Sequence, residues 1–329
     1  MNNRFHENRN RHDRDVLKIG LLALLSAALL CACASTRSKP TSKTEFALDT
    51  ACTITLYDKA PAGTLDKAFA LLNQVGARMT IDAPSGELVD VNDAAGKHPV
   101  TVDPELLHVI QVGLRFSRLT DGAFDITIGP LTKLWGIGTG GDSVPVEARI
   151  KQALGLIDYR NVVVNEADRT VYLKNHGMVI DLGAVAKGYA GDRVKTFLEN
   201  AGVKHAIIDL GGNVVTVGAK PDGSPWRIGV QSPDLARGDY VGIVSVANEA
   251  VVSSGQYERF ITVDGKRYGH ILSTQTGFPV DNGIASTTIV TSSSTEGDAL
   301  STSVFALGVT KGLALVNSLP GVEAIILTA

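Results

Sequence analysis

Between residues 205 and 290 the chain is built from short strand-like segments that are interrupted by glycines. These segments lie at 205–210, 214–217, 226–231, 241–246, 250–253, 260–263 and 284–290. Many of the connections between them are short enough for hairpins, so neighbouring strands are expected to run antiparallel. The pattern therefore favours an α+β fold, with a largely antiparallel sheet and packed helices, over a doubly wound parallel sheet.

Helices are predicted on both sides of this strand-rich region. Apolar residues recur at helical spacing in residues 64–79 and 104–118, and Gly202 ends a helical pattern that starts at residue 189. An apolar helix is also expected at 295–307. Further strands are predicted at 51–57, 162–164, 170–173 and 324–327.

The N-terminal region differs in composition from the rest of the chain. An arginine-rich stretch precedes the apolar run 19–30, which suits a signal peptide but falls short of the roughly 20 residues that span a bilayer. Cys33 ends a lipobox-like segment that starts at Leu30, and Cys31 fits less well because Leu30 directly precedes it. The alternative is a short membrane anchor that stays attached. We predict a signal peptide at 1–32, a lipidated N-terminus (Cys33) and flexible tether at 33–45, and one folded domain at 46–329.

This organisation predicts a protein of the cell envelope, held to a membrane by lipid and facing the periplasm or the exterior. The formal net charge is −3 and no basic patch is evident, so nucleic acid is not an expected partner. Cys52 lies in an alternating strand pattern without a nearby His, and we interpret it as a core thiol rather than a nucleophile.

Two segments combine glycines with side chains that could meet a ligand. In residues 122–136 the glycines allow close backbone approach, and Trp135 could pack either on a flat ring or in the core. Residues 181–190 place Asp181 and Lys187 at a helix start, where backbone N–H groups attract anions, although the Walker spacing is absent. The plainer interpretation is that Asp181 caps the helix and Lys187 is solvated.

Three later segments add further polar groups. Residues 209–213 read Asp-Leu-Gly-Gly-Asn, which is most often only a hairpin turn. His270 follows Arg259 and precedes a Thr-Gly-x-Pro turn, which suggests a base near an anion, although a lone His is often structural. Asp298 and Thr302 share one helix face, and their oxygen atoms suit magnesium better than zinc. Alternatively, Asp298 caps the helix and Thr302 bonds back to the preceding turn.

Taken in this order, the five segments resemble the FAD:protein FMN transferases of the ApbE family, from about Phe46 to the C-terminus. The resemblance implies an α+β fold that binds FAD, its substrate, between two subdomains. It implies a magnesium ion held by the Ala184 carbonyl and the Asp298 and Thr302 side chains, with His270 as the catalytic base. The implied FAD contacts are Leu48, Ala123, Phe124, Asp125, Asp181, Lys187 and Ile271.

The implied reaction transfers FMN from FAD to a Thr hydroxyl of an acceptor redox protein and releases AMP. Magnesium and Lys187 would neutralise the pyrophosphate, and His270 would take the hydroxyl proton. The alternatives are an FAD pyrophosphatase that uses water, a flavin-binding lipoprotein without turnover, and a structural envelope protein. Residues 79–87 and 273–274 depart from the usual family pattern, the first of them in a region close to the flavin.

Overall fold

The computed structural model describes residues 39–233 and 238–328. The chain divides into two units, Met1–Lys39 and Pro40–Ala329, and the first lies almost wholly outside the described residues. The predicted signal peptide and the lipidation site at Cys33 fall in that undescribed part. Among the described helices, none is long and apolar enough to cross a membrane.

The predicted strands and helices lie close to their expected positions, and several shorter elements are additional. The strands in chain order are β1 Thr41–Ala47, β2 Thr50–Leu56, β3 Val100–Thr101, β4 Val162–Asn165, β5 Thr170–Leu173, β6 Ala206–Asp209, β7 Asn213–Val217, β8 Trp226–Gln231, β9 Tyr240–Val246, β10 Ala250–Gly255, β11 Phe260–Val263, β12 Lys266–Gly269, β13 Ile284–Thr291 and β14 Glu323–Thr328. The helices are α1 Thr64–Met79, α2 Glu87–Asp93, α3 Pro104–Leu119, α4 Gly129–Trp135, α5 Glu147–Leu154, α6 Ala186–Asn200, α7 Ser294–Leu307 and α8 Val309–Asn317.

A seven-stranded sheet with the strand order β1-β2-β6-β7-β10-β13-β14 forms the centre of the domain. Every neighbouring pair in it is antiparallel. Helices α6 and α7 pack on each other, and both contact strands of this sheet. The β8–β9 hairpin supplies a separate apolar cluster in which Trp226 and Val246 pack with Val251 of β10. This architecture confirms the predicted α+β fold with a largely antiparallel sheet.

The first strand lies partly in the segment that the sequence analysis assigns to the flexible tether, residues 33–45. Strand β1 begins at Thr41 and pairs with β2 along its whole length, and the hydroxyls of Ser42 and Thr55 lie 2.9 Å apart. It is an edge strand with mostly polar, exposed side chains, so it shows no apolar alternation in the sequence. The folded domain therefore starts several residues earlier than predicted.

A second, smaller core forms around α4, α5 and the β11–β12 hairpin. Trp135 is buried in it, between the rings of Tyr268 and Phe278, and its indole N–H donates to the Gly277 carbonyl over 2.8 Å. The indole is thus used in packing, as the plainer interpretation of Trp135 held, and it is not free to stack on a ligand ring.

Candidate active site

Helix α7 carries two of the predicted metal ligands, and its start is fixed by an acidic side chain of α6. The Asp192 carboxylate accepts hydrogen bonds from the backbone N–H groups of Ser294 and Thr295, both at 2.9 Å. It also accepts from the hydroxyls of Ser293, at 3.0 Å, and Thr295, at 2.6 Å. These bonds satisfy donors that a helix start otherwise leaves unpaired. They hold α7 against α6.

Asp298 lies one turn into α7 and is buried. Its Oδ2 accepts a hydrogen bond from the backbone N–H of Gly188 at 2.9 Å, and its Oδ1 lies 3.3 Å from Lys187 Nζ. A side chain at Gly188 would overlap the carbonyl of Ser294, so only glycine lets the two helices come this close. Asp298 therefore does not cap its own helix; Ser293 is the N-cap residue.

The predicted segment 181–190 forms the turn that leads into α6. Asp181 Oδ1 accepts from the backbone N–H of Gly183 at 2.8 Å, and Lys187 Nζ donates to the Gly183 carbonyl at 3.3 Å. Ala184 lies in the same turn, partly buried. The Asp181 N–H donates to the Ile126 carbonyl over 2.7 Å, so this turn is tied to the other glycine-containing segment, 122–136.

Within segment 122–136, the polar side chain serves the fold. Asp125 Oδ1 accepts from both the N–H and the hydroxyl of Thr127, at 2.8 and 2.7 Å, and Oδ2 accepts from the Tyr159 N–H at 2.9 Å. Burial raises the pKa of Asp125, and these hydrogen bonds oppose that shift. Phe124 is buried in the main core, whereas Ala123 is partly exposed. A ligand would thus meet Ala123 or the backbone here.

His270 is held by the carbonyl of Arg259, which lies 3.1 Å from its backbone nitrogen and 3.2 Å from its Nδ1. A proton on Nδ1 satisfies this carbonyl and leaves Nε2 as an acceptor. Burial lowers the pKa of His270 to about 4, and the positive charges of Arg259 and Lys187 act in the same direction. The imidazole is therefore neutral at pH 7. The next residue, Ile271, is buried.

Leu48 and Asp49 form the turn between β1 and β2, and both have positive φ, 52° and 58°. Such a conformation is uncommon for a residue with a side chain, and a bulky Leu in it is strained. The Arg259 guanidinium donates to the Asp49 carbonyl at 3.1 Å. Arg259 thus binds this turn, which includes the predicted contact Leu48, with its side chain, and it binds His270 with its carbonyl.

Sequence reasoning did not assign contacts to several residues around these groups, although some of them lie in segments that it singled out. Asn213, from the Gly-Gly-Asn turn between β6 and β7, is buried and accepts from the Ser294 hydroxyl at 2.7 Å. Ser254 of β10 lies with its hydroxyl 2.7 Å from that of Ser301 and 3.4 Å from that of Thr302. Asp192 carries no local signal of its role. Gly188 lies within the predicted segment 181–190, but its role depends on a contact with the distant helix α7.

The comparisons with known proteins agree with this arrangement. The sequence profile described as the ApbE family matches residues 48–326. This chain belongs to the ApbE family. A Klebsiella pneumoniae (strain 342) member named FAD:protein FMN transferase is 39% identical over 272 residues, which cover 83% of each chain. A Treponema pallidum (strain Nichols) member of the same name is 34% identical over 325 residues, or 94% of this chain and 90% of that one.

Solved structures of ApbE proteins share the fold. The crystal structure of the ApbE protein from Thermotoga maritima MSB8 has a TM-score of 0.81 at 32% identity. The flavin transferase ApbE from Vibrio cholerae has a TM-score of 0.79 at 26% identity. Each alignment covers 88% of this chain and 94% of the other. The predicted family and fold are therefore confirmed.

Proposed function

We propose that this ApbE protein transfers the FMN part of FAD to a Thr hydroxyl of an acceptor redox protein and releases AMP. Relatives over most of its length carry the name FAD:protein FMN transferase. The observation in the structure that carries the proposal is the cation of Lys187, 3.3 Å from Asp298 at the start of α6. Burial is the main cause of the low pKa of His270, and the charge of Lys187 acts in the same direction. This electrostatic interaction supports a site that combines a base with an anion-binding helix start.

We further propose that Asp298, Thr302 and the Ala184 carbonyl hold a magnesium ion. All three offer oxygen, and magnesium typically binds one or two carboxylates together with substrate phosphates. In the described part of the chain, no three or more His, Cys, Asp or Glu residues cluster as candidate metal ligands. The proposal rests instead on the oxygen donors of Asp298, Thr302 and Ala184, a set that would suit magnesium together with substrate phosphate oxygens. When bound, magnesium supplies charge neutralisation and Lewis acidity.

The protein's own groups then have separate tasks. Lys187 and the positive end of the α6 dipole attract the pyrophosphate and reduce its repulsion of a nucleophile. Nε2 of His270 accepts the proton of the acceptor Thr hydroxyl. The Thr oxygen forms a bond to the phosphorus on the FMN side, the bond to the bridging oxygen breaks, and AMP leaves with that electron pair. Because its pKa is about 4, His270 is a weak base that is fully available at neutral pH.

The location of the enzyme is part of the same proposal. The leader at 1–32 and Cys33 support export and attachment to a membrane by lipid, at the cell envelope. A short tether before the folded domain would let the active site reach acceptor proteins in or near that membrane.

Hydrolysis of FAD to FMN and AMP is the second candidate, and one segment favours it. The family often has an aromatic residue in the stretch after α1, whereas this chain has Asp82 there, exposed. Partial desolvation and the negative charge of Asp181 raise the pKa of Asp82. A polar, acidic segment at this place holds a flavin ring less firmly and gives water better access.

The two candidates differ in their products. Purified protein is incubated with FAD, magnesium and a candidate acceptor redox protein, and AMP, free FMN and protein-bound FMN are measured. Transfer gives AMP equal to bound FMN, with little free FMN, and replacing the acceptor Thr by Val abolishes labelling. Rapid release of free FMN with every acceptor left unlabelled would replace the transferase by the pyrophosphatase.

A further inference from the structure

Two adjacent serines of β10 point to opposite sides of the sheet. The Ser253 hydroxyl lies 2.8 Å from that of Thr288 on the neighbouring strand β13. The Ser254 hydroxyl lies beneath α7, 2.7 Å from that of Ser301 and 3.4 Å from that of Thr302. Only Ser254 therefore contacts the helix that carries the proposed metal ligands.

The direction of these hydrogen bonds follows from counting protons. The Ser301 hydroxyl donates to the Asp298 carbonyl at 2.9 Å, and a hydroxyl has only one proton to give. Ser301 must therefore accept a hydrogen bond from Ser254. The single hydroxyl proton of Ser254 is used in that bond. The oxygen of Ser254 is left as an acceptor for the proton of Thr302.

We propose that Ser254 is a positioning residue for the metal site: it takes the Thr302 proton, so that the lone pairs of the Thr302 oxygen remain for the cation. A Thr in a helix otherwise divides between two rotamers, because its hydroxyl can donate to a carbonyl of the preceding turn. The neighbouring Ser301 and Ser303 do donate in this way. By accepting the Thr302 proton, Ser254 keeps Thr302 from the rotamer in which its hydroxyl donates to a carbonyl of the preceding turn. This inference rests on the proposed magnesium site.

The affinity for Mn²⁺ alone, followed by electron paramagnetic resonance on the full chain, tests the proposal without using activity. Loss of one orienting hydrogen bond predicts about fivefold weaker Mn²⁺ binding in Ser254→Ala. Ser253→Ala is the matched control, since it removes a hydroxyl from the same strand on the other face, and its affinity should stay within about twofold of the wild type. Equal losses in both variants would overturn the proposal.

A double-mutant cycle separates positioning from general weakening. In a Thr302→Ala background, Ser254→Ala should have no further effect on Mn²⁺ affinity, because Ser254 acts through Thr302. An undiminished effect in that background overturns the role of Ser254 and leaves the metal site intact. If the wild type does not bind Mn²⁺, or Asp298→Ala binds it equally well, the metal site itself is wrong and this inference falls with it. Should Ser254→Ala fail to fold, Ser254→Cys takes its place, since a thiol keeps the volume but donates weakly.

Discussion

The Asp298 carboxylate accepts a hydrogen bond from the backbone N–H of Gly188, with 2.9 Å between the two atoms. Gly188 lies in the first turn of α6, where the helix dipole favours a negative charge. Lys187, beside it, pairs with the other carboxylate oxygen. The start of one helix thus holds the central acidic group of another.

Asp298→Asn should lower AMP release from FAD by about 100-fold or more, because it removes the only charged ligand of the proposed magnesium site. Glu296→Gln is the control on the same helix: Glu296 pairs with Arg115 at the surface, and its loss should change the rate by no more than about twofold. The measurement is AMP formation with magnesium at several concentrations. Full activity of Asp298→Asn in metal-free buffer with EDTA would contradict the assignment.

Gly188→Ala should destabilise the domain by about 1–3 kcal/mol, because the new methyl group overlaps the Ser294 carbonyl and the Asp298 side chain. The spacing of α6 and α7 would widen, so activity should fall as well. Gly242→Ala, where the added methyl meets open space, should leave the unfolding free energy nearly unchanged. Urea unfolding of both variants checks this, and equal stability of the two would show that α6 and α7 are not packed as tightly as the structure has them.

The pH dependence of the reaction should reflect His270. Its pKa is lowered to about 4, so the imidazole is neutral above that pH and protonated below it. The acidic limb of the kcat/KM profile should therefore lie near pH 4, and not near the ordinary value of 6.5. Arg259→Gln removes one positive charge and should move this limb to higher pH. His270→Ala should reduce transfer and hydrolysis alike, by about 100-fold or more, since one base serves both nucleophiles. A limb at pH 6.5 in the wild type would argue against His270, in this partly buried setting, as the base.

Cys33→Ser should prevent lipid attachment and leave an unprocessed precursor or a protein released from its membrane. Cys31→Ser is the matched control and should have little effect, because Cys31 belongs to the predicted signal peptide. Mass spectrometry of the processed N-terminus and fractionation of membranes check both variants. An unmodified Cys33 in processed wild-type protein would refute lipidation at this residue.

Asp192→Ala should lower the free energy of unfolding by about 2 kcal/mol, since it leaves the first donors of α7 without their acceptor. Asp192→Asn keeps one acceptor oxygen and should cost less. Chemical denaturation of the two variants against wild type gives the comparison. A loss in Asp192→Asn as large as that in Asp192→Ala would mean that the negative charge, more than the hydrogen bonds, stabilises the helix start.

Helices long enough to show several repeats of the apolar pattern were predictable from the sequence, and short helices were not. Helix Thr64–Met79 has the bounds that its apolar stripe predicts. Several helices of two or three turns escaped prediction, because so short a pattern gives little periodicity to recognise. They are Glu87–Asp93, Gly129–Trp135, Glu147–Leu154 and Val309–Asn317. Cys52, predicted as a core thiol, is fully buried, and burial raises its pKa to about 11.

The same distinction holds in the candidate site. Asp298 and Thr302 could be placed on one helix face because their spacing is local. The contacts of Asp192 with the start of α7 join residues about 100 positions apart, and Ser254 reaches Thr302 across 48 positions. The residues next to Asp192 and Ser254 in the sequence do not indicate these distant contacts. The side chain of Asp125, predicted as a ligand contact, holds Thr127 and Tyr159, and these contacts could not be predicted from the sequence.

Because Asp192 binds the first two N–H groups of α7, the position where this helix starts is fixed, and so is the direction in which each later side chain points. A single residue inserted between Thr295 and Asp298 would rotate everything after it by about 100°. Asp298 would turn away from Gly188, and Thr302 away from Ser254, although the composition of the helix would hardly change. The segment between Thr295, which Asp192 binds, and Asp298 should therefore not tolerate an insertion or a deletion. By contrast, the turn at Gly223, where an added methyl group meets open space, should accept changes in length.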